Sequence, residues 1–66
     1  MKLIDLLTVC DENLTVCIWD AQDDHFLGEY NGRDSIDEMF NEWAITKVIG
    51  SGKGNLIDVV IAKENN

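Results

Sequence analysis

Leu14-Thr15-Val16-Cys17-Ile18-Trp19 alternates along its length, with Leu14, Val16 and Ile18 pointing one way and Thr15, Cys17 and Trp19 the other. Period-two alternation in residues rich in β-formers is a strand pattern. Both faces carry bulk, so this strand is expected to be central or covered on both sides. Asp20-Ala21-Gln22-Asp23-Asp24 follows, a turn by composition. Residues 25–30 resume an extended pattern, and the short loop predicts an antiparallel hairpin. Simple alternation puts Phe26, Gly28 and Tyr30 on one face of this second strand and Leu27 and Glu29 on the other. Gly28 leaves space for a large neighbour such as Trp19.

Beyond the hairpin, Asn31-Gly32 is the strongest local turn signal in the chain. Ser35 with Glu38 fits the Ser-x-x-Glu capping box, and Asp34, Asp37 and Glu38 sit where a helix start favours negative charge. A helix of one or two turns is expected there, with Ile36, Met39 and Phe40 on one face. Residues 43–49 and 56–62 read as two further strands joined through the loop Gly50-Ser51-Gly52-Lys53-Gly54, a second hairpin. In the last strand Ile57, Val59 and Ile61 form one face. Asp58 marks the opposite face, which it shares with Leu56, Val60 and Ala62, as the wetter one. Upstream, Leu3, Leu6, Leu7 and Cys10 follow helical spacing and predict a short helix over residues 2–9, with a strand as the competing reading because Ile4 and Val9 also fit one. Residues 63–66 read as a frayed tail. The expected fold is α+β: a small antiparallel four-stranded sheet made of two hairpins, with an N-terminal helix and a short helix between the hairpins, in a single domain spanning residues 1–66.

The chain has 66 residues and a formal net charge of −8, from 13 acids and 5 basic residues. A domain this small buries only about 60% of its unfolded surface and leaves little volume for a deep catalytic pocket. Its hydrophobic fraction of 45% is too high for a disordered acidic tail. No apolar run approaches the ~20 residues needed to span a bilayer, and Asp5 interrupts the only stretch that could serve as a secretory signal. With two cysteines and no such signal, a reducing cytoplasm and free thiols are expected. Ten of the acids fall in residues 11–42 against one cation, Arg33. Such a field repels phosphate and anionic lipid, which argues against direct nucleic-acid or membrane binding. It favours partner proteins with basic surfaces.

Motifs for chemistry are incomplete. The glycine loop around Lys53 lacks the Gly, the Ser or Thr, and the following helix of a phosphate loop. Cys10, Cys17 and His25 do not have structural zinc spacing, and Asp20, Asp23 and Asp24 lack the spacing and distal Glu of a calcium loop. His25 has no evident nucleophile to activate, since Ser35 is explained by the capping box and Ser51 by the hairpin loop. No catalytic residue, metal or cofactor is assigned. Of the five aromatics, Trp19 or Trp43 becomes an interface anchor if exposed.

The stretches Lys2-Leu3-Ile4-Asp5-Leu6-Leu7, Thr15-Val16-Cys17-Ile18-Trp19-Asp20 and above all Gly28-Glu29-Tyr30-Asn31-Gly32-Arg33-Asp34-Ser35-Ile36 resemble small uncharacterised acidic proteins of Firmicutes and their prophages. The resemblance implies a cytoplasmic bacterial or phage protein and brings no catalytic residues. In size and charge alone the chain also resembles anti-CRISPR inhibitors that occupy nucleic-acid grooves with carboxylates. The leading expectation is a non-enzymatic acidic interaction module docking on a basic, nucleic-acid-binding surface of a partner protein through Asp20, Asp23, Asp24, Asp34, Asp37 and Glu38, with Trp19 as anchor. The alternative is a structural or assembly protein that forms a homodimer or larger homo-oligomer through a sheet edge.

Overall fold

The two most buried strands lie side by side at the centre of the sheet, in a computed structural model that describes residues 1–50 and 54–63. In chain order the elements are helix α1 (Leu3–Val9), strands β1 (Thr15–Asp20) and β2 (His25–Asn31), two 3-10 turns (Arg33–Ser35 and Glu38–Phe40), and strands β3 (Ala44–Gly50) and β4 (Leu56–Ala62). The α+β class, both hairpins, the N-terminal helix and the helical segment between the hairpins agree with the sequence reading. Residues 51–53 of the expected glycine loop and 64–66 of the expected tail lie outside the described residues.

The sheet order is β2-β1-β4-β3. Each hairpin is antiparallel, but β1 and β4 join them in parallel, with Val16 opposite Ile57 and Ile18 opposite Val59. The sheet is therefore mixed, where a wholly antiparallel one was expected. The cause is the path between β2 and β3. β2 ends beside Thr15, and β3 begins beside Ala62, at the other end of the sheet. The connecting residues 32–43 thus return along the length of the sheet, and that return sets β3 parallel to β2 and β4 parallel to β1.

The same segment helps to close the core. Ile36 and Phe40 are buried against Val16, Ile18, Val59 and Ile61, beside Leu3 and Leu7 of α1. All of these lie on one face of the sheet, so α1 and the 3-10 turns form a single covering layer. Leu3 and Leu7 are one helical turn apart, which gives a seven-residue helix its buried stripe. Backbone bonds dock the helix: Leu3 N–H donates to Trp43 O at 2.9 Å, and Ile4 N–H to Asn41 O at 3.1 Å. The Asp5 carboxylate accepts from Lys2 N–H at 3.1 Å, satisfying a donor at the helix start. At the other end, Arg33 Nη1 donates to Leu7 O at 3.3 Å.

The capping box at Ser35 and Glu38 does not form. Ser35 Oγ instead donates back to the Gly32 and Asn31 carbonyls at 2.7 and 3.1 Å, closing the turn before it. Ile36 is extended (φ −78°, ψ 133°) and drops into the core, which separates the two 3-10 turns. The cap of the second turn is Asp37, whose Oδ1 accepts from Met39 N–H at 3.0 Å.

Two bulges re-aim the edge strands. In β2 the register passes from Ile18–Gly28 to Trp19–Phe26, so Leu27 is the extra residue. Phe26 moves to the face of Trp19 and Glu29, and Leu27 packs against the core, which reverses both expected orientations. In β3 the extra residue is Thr46. The neighbour that fills the space over Gly28 is Tyr30, not Trp19: a Cβ at Gly28 would stand 3.0 Å from the Tyr30 ring.

The turn at Asn31-Gly32 holds Gly32 at φ +87°, and a Cβ there would stand 2.9 Å from Glu12 O. Gly32→Ala is expected to destabilise the fold by about 1–3 kcal/mol, from strained backbone plus the clash. Ile18→Ala, at the centre of the core, is expected to cost about 2–5 kcal/mol. Urea unfolding of both variants beside the wild type checks these values. An unchanged midpoint for Gly32→Ala would mean that the turn is not held as described.

Candidate functional site

The opposite face of the sheet carries no covering element among the described residues, and its side chains fall into two rows. One row runs Phe26, Trp19, Val60, Lys47 across β2, β1, β4 and β3; the next runs Glu29, Cys17, Asp58, Ile49. The first row is apolar up to its terminal lysine. The second places carboxylates on both sides of a thiol. Phe26 and Ile49 are 46% and 42% exposed, and Trp19 and Val60 are half-buried.

Trp19 ties the rows together. Its Nε1–H donates to Asp58 Oδ1 at 3.2 Å, and its ring meets Phe26 edge-on at a centroid distance of 4.9 Å. The other aromatics belong to the covered face, where Phe40 stacks edge-on between Tyr30 and Trp43. Asp24, from the β1–β2 turn, joins Trp19, Ile49, Asp58 and Val60 around an open groove of about 320 Å³.

The six acids singled out in the sequence divide into two groups. Asp20, Asp23 and Asp24 lie at the end of β1 and in the turn after it. Asp20 Oδ1 accepts from Gln22 N–H at 2.9 Å and so begins that turn, while Asp23 and Asp24 are exposed. Asp24 adopts φ 49°, which aspartate tolerates better than most residues. Asp34, Asp37 and Glu38 belong to the 3-10 segment in the covering layer. Asp34 and Glu38 border a separate hollow of about 420 Å³ beside α1, together with Arg33. Only Asp24 of the six reaches the groove on the uncovered face, where Trp19 forms a wall.

Sequence reasoning passed over Phe26, Glu29 and Ile49 as contributors to this face, but it did set Val60 there, beside Asp58, as partly exposed or covered by a partner. The usable signal was Asp58, a single acid inside an apolar strand, which marked its face as wet. The bulges that bring Phe26 beside Trp19 and set Lys47 opposite Val60 have no sequence signature of their own.

Cys17, 8% exposed, donates from Sγ to Glu29 Oε1 at 3.7 Å. Burial first, and then the charges of Asp58 and Glu29, push its thiol above the ordinary value. It is therefore held protonated, the opposite of what a nucleophile needs. His25 is exposed at the start of β2, opposite Asp20. Among the described residues no three His, Cys, Asp or Glu side chains gather as metal ligands, and no helix is long and apolar enough to cross a membrane. In comparisons with known proteins, no family model, no curated protein and no solved structure matches the chain.

The two thiols should separate chemically. With a maleimide at pH 8, Cys10 is expected to react at least about tenfold faster than Cys17 in the folded protein; equal rates would mean that Cys17 is open to solvent. The raised thiol also has a sign for stability. The folded state keeps a proton that the unfolded chain loses, so this contribution is present below the ordinary thiol value of 9.0 and fades as pH rises through the higher folded one. Stability should therefore fall more steeply above pH 9 in the wild type than in Cys17→Ala.

Proposed function

We propose that this chain is a non-enzymatic interaction module that docks its uncovered sheet face on a basic surface of a partner protein. The observation that carries this reading is the apolar row Phe26–Trp19–Val60, with Ile49, bordered by Asp24, Glu29 and Asp58 in a chain of net charge −8. Apolar surface rimmed by charge is the composition of protein contact sites, and a half-buried tryptophan at its centre is the commonest kind of anchor. The summed negative charge steers approach toward cationic partners.

Within this reading, Asp24 lines the groove on the docking face and makes direct contact, and Asp23, exposed in the same turn, adds charge beside it. Asp34, Asp37 and Glu38, in the covering layer, add long-range attraction only. A partner whose basic surface normally holds nucleic acid fits this charge pattern, and the module then acts as an inhibitor whose carboxylates stand in for phosphates. The resemblance to Firmicutes and prophage proteins supports reading this activity as one of a bacterial cytoplasm. Two side chains are in keeping with a non-enzymatic role: Cys17 is held as a thiol, and Ser35 Oγ donates to two backbone carbonyls.

Affinity capture from a Firmicutes lysate at low and high salt tests the reading, with the tagged wild type beside a Phe26→Ser/Ile49→Ser variant. The expected result is a protein with a basic nucleic-acid-binding surface that is held at low salt, released at high salt, and lost by at least about tenfold in the variant. Retention by the variant, or retention that ignores salt, would overturn it. Capture of the chain's own copies alone would favour the homo-oligomeric alternative.

A further inference from the structure

Resting on the docking reading above, we propose that the groove between Trp19, Ile49, Val60, Asp24 and Asp58 receives one arginine side chain of the partner. The walls divide by chemistry in the way an arginine side chain does. Ile49 and Val60 offer aliphatic surface for a methylene stem. The Trp19 indole supplies an aromatic wall for a planar guanidinium. Asp24 and Asp58 offer carboxylates for its forked donors.

A neutral apolar occupant would strip water from two carboxylates without compensating them, which is unfavourable. A bare cation would leave the aliphatic walls unused, and no third metal-ligating side chain is gathered nearby among the described residues. Lys47, opposite Val60 in the apolar row, repels a cation approaching over β3 and so biases the guanidinium toward the Asp24 and Asp58 side. Part of the site is set before any partner arrives. The bond from Trp19 Nε1 to Asp58 Oδ1 holds the ring and the carboxylate in one arrangement, and Phe26 braces the ring from the other strand.

The probes are the blocked tripeptide Gly-Arg-Gly and its citrulline and lysine counterparts, followed by the indole N–H signals in two-dimensional NMR. The Trp43→Phe variant identifies which signal belongs to Trp19. The arginine peptide is expected to shift the Trp19 signal saturably. The citrulline peptide, of the same shape but uncharged, should leave it in place, and the lysine peptide should bind about threefold or more weakly. Asp24→Asn and Asp58→Asn should each weaken arginine binding by about threefold or more. Asparagine tolerates the positive φ at position 24 and keeps an acceptor for Trp19 at position 58, so both variants are expected to fold, and their amide spectra report this directly.

Equal shifts from the citrulline peptide, equal affinity for the lysine peptide, or affinity unchanged in Asp24→Asn would each overturn the assignment. The broader reading fails separately. If the arginine peptide leaves Trp19 unmoved while the Phe26→Ser/Ile49→Ser variant still loses the captured partner, the groove is refuted and the docking face stands. If that variant retains the partner, the docking face is refuted whatever the peptide does.

Discussion

The parallel pairing of β1 with β4 is the constraint on which the remaining structure depends. It aligns Val16 with Ile57 and Ile18 with Val59 on one face, which creates the apolar floor of the core. By the same register it sets Cys17 beside Asp58 and Trp19 beside Val60 on the other. Parallel neighbours cannot be joined by a tight turn, so the chain between them must travel. Here that journey includes an entire edge strand on each side and the segment 32–43, which lays Ile36 and Phe40 over the floor. The helix then fills what the segment leaves open, with two leucines and backbone bonds to Asn41 and Trp43. Among the described residues the sheet thus has one covering layer and one bare face.

The elements were legible because each is written locally. Alternation in Thr15–Asp20 and Leu56–Ala62, the spacing of Leu3 and Leu7, and the Asn31-Gly32 turn all act within a few residues. The parallel join was not legible, because a turn signal says that the chain reverses and not which end of the sheet it returns to. The orientation of Phe26 was misread for a related reason. A bulge shifts alternation by one residue, and neither Leu27 nor Thr46 differs in type from an ordinary strand residue. The capping box at Ser35 matched in spacing but lost to a tertiary demand, the burial of Ile36.

The candidate site was legible only in outline. Counting acids identified the charge of the chain but not its distribution, because several carboxylates are committed to local backbone donors: Asp5 to Lys2, Asp11 to Asn13, Asp20 to Gln22, Asp37 to Met39. These side chains shape turns and keep their charge, so they add to the general field while direct contact on the uncovered face belongs to others. Asp58, which sits among β-branched residues and is bound to an indole, carries more information about the face than the denser run Asp34, Asp37 and Glu38. An acid placed against the pattern of its strand is a better pointer than acids placed with the pattern of a turn.

The bulges have a second consequence, at the margins of the sheet. Fibrillar stacking requires a run of regular, unpaired strand onto which an identical chain can zip at each successive layer. β2 is interrupted at Leu27, which leaves only short segments to either side. β3 is interrupted at Thr46, and its first residues are already occupied: Ala44 bridges Lys2, and Ile45 N–H donates to Met1 O at 2.8 Å. Neither margin offers a long, flat template. The chain can therefore expose tryptophan, phenylalanine and isoleucine on one broad surface while its own geometry works against polymerisation into cross-β ribbons.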